Sequence, residues 1–201
     1  MLDLWDWRRQ IADLYGAVRG MAPEDGWRLW RDTRNRLFAH HSQTSLEPAA
    51  LANFTGISLY PYDPALRFLV GLTDISGPAL ILEAGHDGEV RATPFARTDG
   101  LAALGGELTL YWIGGYGGGV FLPFTDATSG GETYGGGRYL LDTIKGADLG
   151  QAPDGRVILD FNFAFAPSCA HSDRFVCPLA PLENRLVEPV RGGERQGTMV
   201  A

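Results

Sequence analysis

The sequence predicts a mainly β, α+β protein: an antiparallel β-barrel or sandwich with an N-terminal helical hairpin and a Pro-rich wrapping C-terminal tail. Three observations predict it. Apolar residues recur at helical spacing only in the first forty positions, short strand-like segments then follow with glycine turn signals between them, and prolines crowd the chain after Ala166.

The helical stripe runs through Leu4, Trp7, Ile11, Leu14, Tyr15 and Val18, at three- and four-residue steps. Gly20 ends it. Pro23, Glu24 and Asp25 open a second helix, where proline suits the first turn and acids suit the positive end of the macrodipole. Trp27, Trp30, Leu37 and Phe38 supply its apolar side. Residues 1–40 thus form an arm packed on the barrel, and residues 41–65, polar and Pro-containing, read as a wrapping connector.

The core domain is expected over residues 66–190. Its strand segments are Leu66 to Ile75, Ala79 to Ala84, Glu89 to Ala96, Glu107 to Ile113, Val120 to Thr125, Arg138 to Thr143 and Arg156 to Phe165. Turn signals stand at Asp87-Gly88, Gly105-Gly106 and Asp154-Gly155. Close spacing without helical periods between strands favours an antiparallel sheet over a parallel one. In the last segment Val157, Leu159, Phe161 and Phe163 alternate with Ile158, Asp160, Asn162 and Ala164, so a carboxylate and an amide are expected side by side on one face. Residues 191–201 read as a flexible polar tail.

Composition excludes several functions. The formal net charge is −7, and sixteen arginines and one lysine are scattered. A nucleic-acid binder needs a basic patch, so no nucleic acid partner is expected. Arg28, Arg31, Arg34 and Arg36 read as a solvated helix face balanced by Glu24, Asp25 and Asp32. No run reaches the roughly 18 apolar residues of a spanning helix, and the first residues lack a secretory apolar core; no membrane partner and a cytoplasmic location are expected.

The central segment GGYGGGVFLPFTDATSGGETYGGGRYLLD is rich in glycine but matches neither the P-loop nor the dinucleotide fingerprint. Between its strands lie Asp126, Thr128, Ser129, Glu132, Thr133, Tyr134 and Arg138. Two readings stand. In one, Arg138 binds an anionic or carbonyl group while a carboxylate does acid–base work. In the other, an Arg–carboxylate pair pins a glycine-rich loop that is costly to order.

Ser129 lacks a nucleophile-elbow context. His86 reads as solvent-facing beside a turn, and His40 or His41 reads as either a structural histidine or a base brought by the connector. Cys169 and Cys177 read as structural thiols or a disulfide worth roughly 2.5 kcal/mol on the chain-entropy model. With His171 they offer three donors, but the spacing of a structural zinc site is absent and no metal is assigned. No cofactor is identified by these residues.

The strings FLPFTDATSGGETYGGGRYLLDTIKGADLG, LDFNFAFAPSCAHSDRFVCPLAPLENRL and YDPALRF, with the connector LFAHHSQTSL, resemble the bacterial and archaeal family catalogued as domain of unknown function 1684. The similarity spans roughly Trp5 to Leu186. It implies that the family motif is carried by Asp126, Gly130, Glu132, Thr133, Tyr134, Gly137, Arg138, Asp160, Asn162, Pro167, Cys169, Cys177, Pro178, Glu183 and Asn184, and it implies no activity. His171 stands where the family has an aromatic, while Ser42 and Leu182 each replace a proline.

The leading expectation is a small-molecule site where the glycine-rich loop meets the Asp160-Asn162 strand face. Glu132 or Asp160 would be the catalytic acid–base group, with Asp126, Thr133, Tyr134, Arg138, Asn162, Glu183 and Asn184 as ligand-binding residues. The alternatives are a non-catalytic interaction module, homo-oligomeric through the arm bearing Trp5, Trp7, Trp27 and Trp30, and a flavin-binding barrel.

Overall fold

The computed structural model describes residues 1–83, 85 and 88–196. His86 and Asp87, and with them the expected Asp87-Gly88 turn, lie outside the described residues, as do residues 197–201. The arm is an antiparallel pair, α1 (Leu2–Val18) and α2 (Pro23–His40). Pro23 occupies the first turn of α2 with Glu24 and Asp25 beside it. The stripe buries Ile11, Leu14, Tyr15 and Val18 from α1 against Trp27, Trp30 and Leu37 from α2. The segment 41–65 contains one short helix, α3 (Pro48–Ala52).

Seven strands follow: β1 (Arg67–Asp74), β2 (Leu80–Glu83), β3 (Glu89–Asp99), β4 (Thr109–Ile113), β5 (Gly119–Phe124), β6 (Arg138–Asp142) and β7 (Val157–Asp160). They form one sheet in the order β6-β5-β4-β3-β1-β7, with β2 paired to β3, and every pairing is antiparallel. The edges nearly meet: Tyr139 of β6 exchanges backbone hydrogen bonds of 2.8 and 3.1 Å with Phe165. The result is a nearly closed barrel, which leaves little unpaired edge. The register of β3 slips between Pro94 and Ala96, a bulge that accommodates a proline unable to donate to the ladder.

There are two cores. Val70, Ala96, Leu108, Leu110, Leu122, Phe124, Leu159 and Phe161 fill the barrel. Outside it, Ala147, Leu149 and Phe163 meet the apolar face of the arm. Trp30 is fully buried there, its Nε1 donating to Tyr15 Oη at 3.1 Å.

Two expectations are corrected. The last strand stops at Asp160, because the Asp160 carboxylate accepts the Asn162 N–H at 3.0 Å and turns the chain into a 3-10 helix, Phe161–Phe163. Alternation therefore ends there, and Asp160 to Ala164 are all buried. Nor is the segment after Val190 free. Gly192, Gly193 and Glu194 are buried, and Gly193 has φ +74° at a point where a Cβ would collide with the Ala164 carbonyl.

Candidate functional site

Strand β6 places Arg138 inside the molecule opposite the end of β5. Its Nη2 donates to Asp126 Oδ2 at 2.8 Å and to the Val190 carbonyl at 2.9 Å. Nη1 donates to the carbonyls of Glu194, at 3.2 Å, and Gly192. Asp126 Oδ1 accepts from the N–H groups of Thr128, at 2.7 Å, and Val190, at 3.2 Å. Burial lowers the Arg138 pKa, and the neighbouring Asp126 opposes that shift. Gly137, with φ +93°, lets the backbone pass within reach of Phe124 just before this arginine.

The other motif residues hold segments in the same manner. Asn162 accepts the Asp63 N–H at 2.9 Å and donates to the Asp63 carbonyl at 2.8 Å, which ties the connector to the barrel. Asn184 accepts from Thr109 N–H at 2.8 Å and donates to the carbonyls of Thr109 and Pro123 at 2.9 and 2.8 Å, bridging β4 and β5 beyond the end of their direct pairing. Glu183 accepts from Tyr111 Oη at 2.8 Å. The hydroxyls of Thr133 and Thr128 lie 2.9 Å apart across the glycine-rich loop. Glu132 binds Arg191 at 2.8 Å and Tyr60 Oη at 2.9 Å; chiefly through Arg191 its pKa drops to about 2.

Convergence of Glu132, Arg138, Asp160 and Asn162 on one hollow is therefore corrected. Residues 190–194 of the tail lie between Arg138 and Glu132: Arg138 donates to the carbonyls of Val190 and Gly192, while Arg191 pairs with Glu132. Asp160 is fully buried, and burial raises its pKa, but its carboxylate faces Asn162 and, at 3.5 Å, Arg67. The pinning reading of the Arg–carboxylate pair describes this geometry.

An open cleft lies elsewhere, between the arm and the outside of the barrel. Its volume is about 520 Å³, and none of the expected catalytic or ligand-binding residues lines it. Trp7, Ile11 and Tyr15 of α1 and Arg34 and Phe38 of α2 form one wall, while Phe121, Tyr139 and Phe165 form the barrel side. Asp142, Lys145 and the segment from Ala166 to Pro178 close the ends.

Among the polar side chains lining this cleft are Arg34 and His171, with Glu194 buried behind them. Arg34 is buried, packs on the rings of Trp30, Phe38 and Phe165 at 4.9, 5.3 and 5.2 Å, and donates to Glu194 Oε1. Glu194 Oε2 accepts the Ala166 N–H at 2.8 Å and lies 3.8 Å from His171 Nε2. That Nε2 is buried without a hydrogen-bond partner, and burial lowers the His171 pKa. Burial also raises Tyr15 to about 12, so its hydroxyl stays protonated. His41 Nε2 lies 3.3 Å from Asp6 Oδ2.

Arg34 was detectable in the sequence. Trp27, Trp30, Arg34, Leu37 and Phe38 share one helical stripe, so the solvated-face reading fails for this one arginine. Glu194 carried no such signal, because its partner is 160 residues away. No group of three or more His, Cys, Asp or Glu side chains among the described residues is arranged to hold a metal ion. No helix among them is long and apolar enough to cross a membrane.

Comparison with known proteins places this geometry in context. A family model described as "Protein of unknown function (DUF1684)" matches residues 52–195. An uncharacterised protein of Haloarcula marismortui, solved by solution NMR, is 32% identical, with a TM-score of 0.59 over 86% of this chain and 93% of that one. No curated protein matches.

Proposed function

Because the chain belongs to the DUF1684 family of proteins of unknown function, we propose from the cleft rather than from a known relative that it binds a small molecule with an apolar body and an anionic group. The single observation that carries the reading is the cleft of about 520 Å³ with an aromatic wall and Arg34, which Glu194 holds from behind. That volume falls in the ordinary range for small-ligand sites, and apolar walls with a few convergent polar groups are their usual lining. Arg8, Arg34, Lys145 and Arg174 line it; Glu194, Asp142 and Glu47 pair with the last three, and Arg8, which makes no ion pair among the described residues, is the charge that favours an anion. Neutral His171 offers an imidazole to a ligand hydroxyl or carboxylate.

The test is native mass spectrometry of the freshly purified protein, followed by thermal-shift titration with a panel of aromatic and aliphatic carboxylates. Ser168→Trp, which fills the cleft from a half-buried position, should abolish binding while circular dichroism stays unchanged. Absence of any retained molecule together with no shift across the panel overturns the reading, and so does undiminished binding by Ser168→Trp. Visible absorbance of a retained flavin would instead establish the flavin alternative.

A second reading keeps the arm as a contact with another copy. Trp27 and Trp30 are committed to this chain's own core, so the reading rests on Trp5, 62% exposed, and Leu2, 74% exposed. Light scattering on wild type and Trp5→Glu decides it: a monomer in both ends it.

A further inference from the structure

The cleft floor crosses the sheet as one continuous apolar row. Phe165, Tyr139 of β6, Phe121 of β5, Ile113 of β4 and Val90 of β3 all line it. The rings of Phe165 and Tyr139 meet edge to face at 5.7 Å, and those of Tyr139 and Phe121 at 4.7 Å. From Phe121 the row continues along a diagonal. Phe121 stands opposite Tyr111, two residues before Ile113; Ile113 stands opposite Ala92, two residues after Val90. Residues two apart on a strand share a face, so these three side chains lie on one face, separated by two diagonal steps of roughly 7–8 Å each. From Phe121 to Val90 the floor is thus on the order of 15 Å long, before the other two aromatic rings are added. Ile144 walls the row beside Ile113. It stands over Gly119, the residue paired with Ile113, so closely that a Cβ there would collide with it.

We propose that this row is the trench of a single unbranched long-chain carboxylate, its chain extended along the floor and its charge paired with Arg8 at the rim. The proposal rests on the binding reading above and names the ligand class. The chemistry of the floor argues for a hydrocarbon chain. None of its five side chains is charged, and the one polar group among them, the Tyr139 hydroxyl, donates to the Pro178 carbonyl. Cys177, the residue before Pro178, lines the cleft as a free thiol, which behaves as a small apolar group. A peptide, sugar or nucleotide laid along this floor would leave its own polar groups unpaired, a cost that polymethylene avoids. A compact ring system would leave one end of the row in water. A single row also fits one chain rather than the two of a membrane phospholipid. Arg8 supplies the charge complement, because Arg34, Lys145 and Arg174 each pair with a carboxylate of this chain.

The test is isothermal titration of the full chain with straight-chain carboxylates from hexanoate to tetradecanoate, each kept below its micelle-forming concentration. Kd should fall roughly fourfold for each added methylene until the trench is full, and stay level beyond it. Val90→Trp, which blocks the far end, should bring the plateau to a shorter chain and weaken tetradecanoate far more than hexanoate. Arg8→Gln should weaken every carboxylate about fivefold and spare the matching alcohols. Co-sedimentation with phosphatidylglycerol vesicles, an anionic two-chain lipid, should show no binding. The wild-type series decides the proposal without either variant: affinity that does not depend on chain length overturns it. A Val90→Trp plateau at the wild-type length, an Arg8→Gln variant that treats acid and alcohol alike, or sedimentation with the vesicles would each overturn it too. Should aromatic carboxylates bind while the straight-chain series does not, this proposal falls and the binding reading stands; silence from both classes brings down both.

Discussion

The carboxylate of Asp126 and the guanidinium of Arg138 meet at 2.8 Å, with side-chain exposures of 0% and 1%. The arginine turns its remaining donors on the carbonyls of Val190, Gly192 and Glu194. A pair that reads as a ligand clamp is thereby a latch for the C-terminal segment, and that segment carries Glu194 to Arg34 behind the cleft wall.

Arg138→Met should destabilise the protein by about 3–5 kcal/mol, because Asp126 is left as a buried, uncompensated charge. Asp126→Asn combined with Arg138→Met should recover part of that loss. Equilibrium urea unfolding measures both, and hydrogen exchange should show the amides of Val190 and Glu194 opening in the single variant. A single variant as stable as wild type would contradict the latch.

Asn184→Ala should cost about 2–4 kcal/mol, since it strands buried backbone groups of Thr109 and Pro123. Asn184→Asp should cost more, because it sets a carboxylate against two carbonyl oxygens. The order of the two melting temperatures is the check; the reverse order would refute the bridging role.

Stability should fall as pH drops below His171's ordinary value of 6.5. Burial, seconded by Arg34 and opposed by Glu194, holds its folded pKa below that value, so the unfolded chain takes up a proton that the folded chain refuses. His171→Phe should flatten the dependence between pH 7 and 5 by up to about 1.4 kcal/mol per pH unit. Urea midpoints at stepped pH test this, and an unchanged slope would remove His171 from the account.

Glu132→Gln should leave the fold intact near neutral pH, in contrast to Arg138→Met. Its carboxyl is depressed from 4.5 to about 2, first by Arg191 and then by Tyr60, so its contribution is present above pH 4.5 and lost as pH falls toward 2. Stabilities of wild type and variant should therefore differ most above pH 4.5 and converge as pH falls toward 2; a loss at pH 7 as large as that of Arg138→Met would mean that Glu132 anchors the tail as firmly as Arg138 does.

The helical arm was legible because its periodicity is local: Ile11, Leu14, Tyr15 and Val18 need only their own helix to share a face. The strands were legible for the same reason, apart from the segment after Asp160, where a side chain captured its neighbour's N–H and ended the pleat. The polar motif was legible as a set of residues but not as a set of partners. Asn184 looks the same in sequence whether its amide meets a ligand or the backbone of Thr109.

The sequence by itself determined the two periodicities, the order of helices and strands, and the set of polar residues that the motif carries. Only the tertiary structure decided what those residues grip and where an open hollow remains. The physical reason is that a buried polar group must bind whichever partner the fold brings to it. Here that partner is the returning C-terminal backbone for Arg138, and a glutamate 160 residues distant for Arg34.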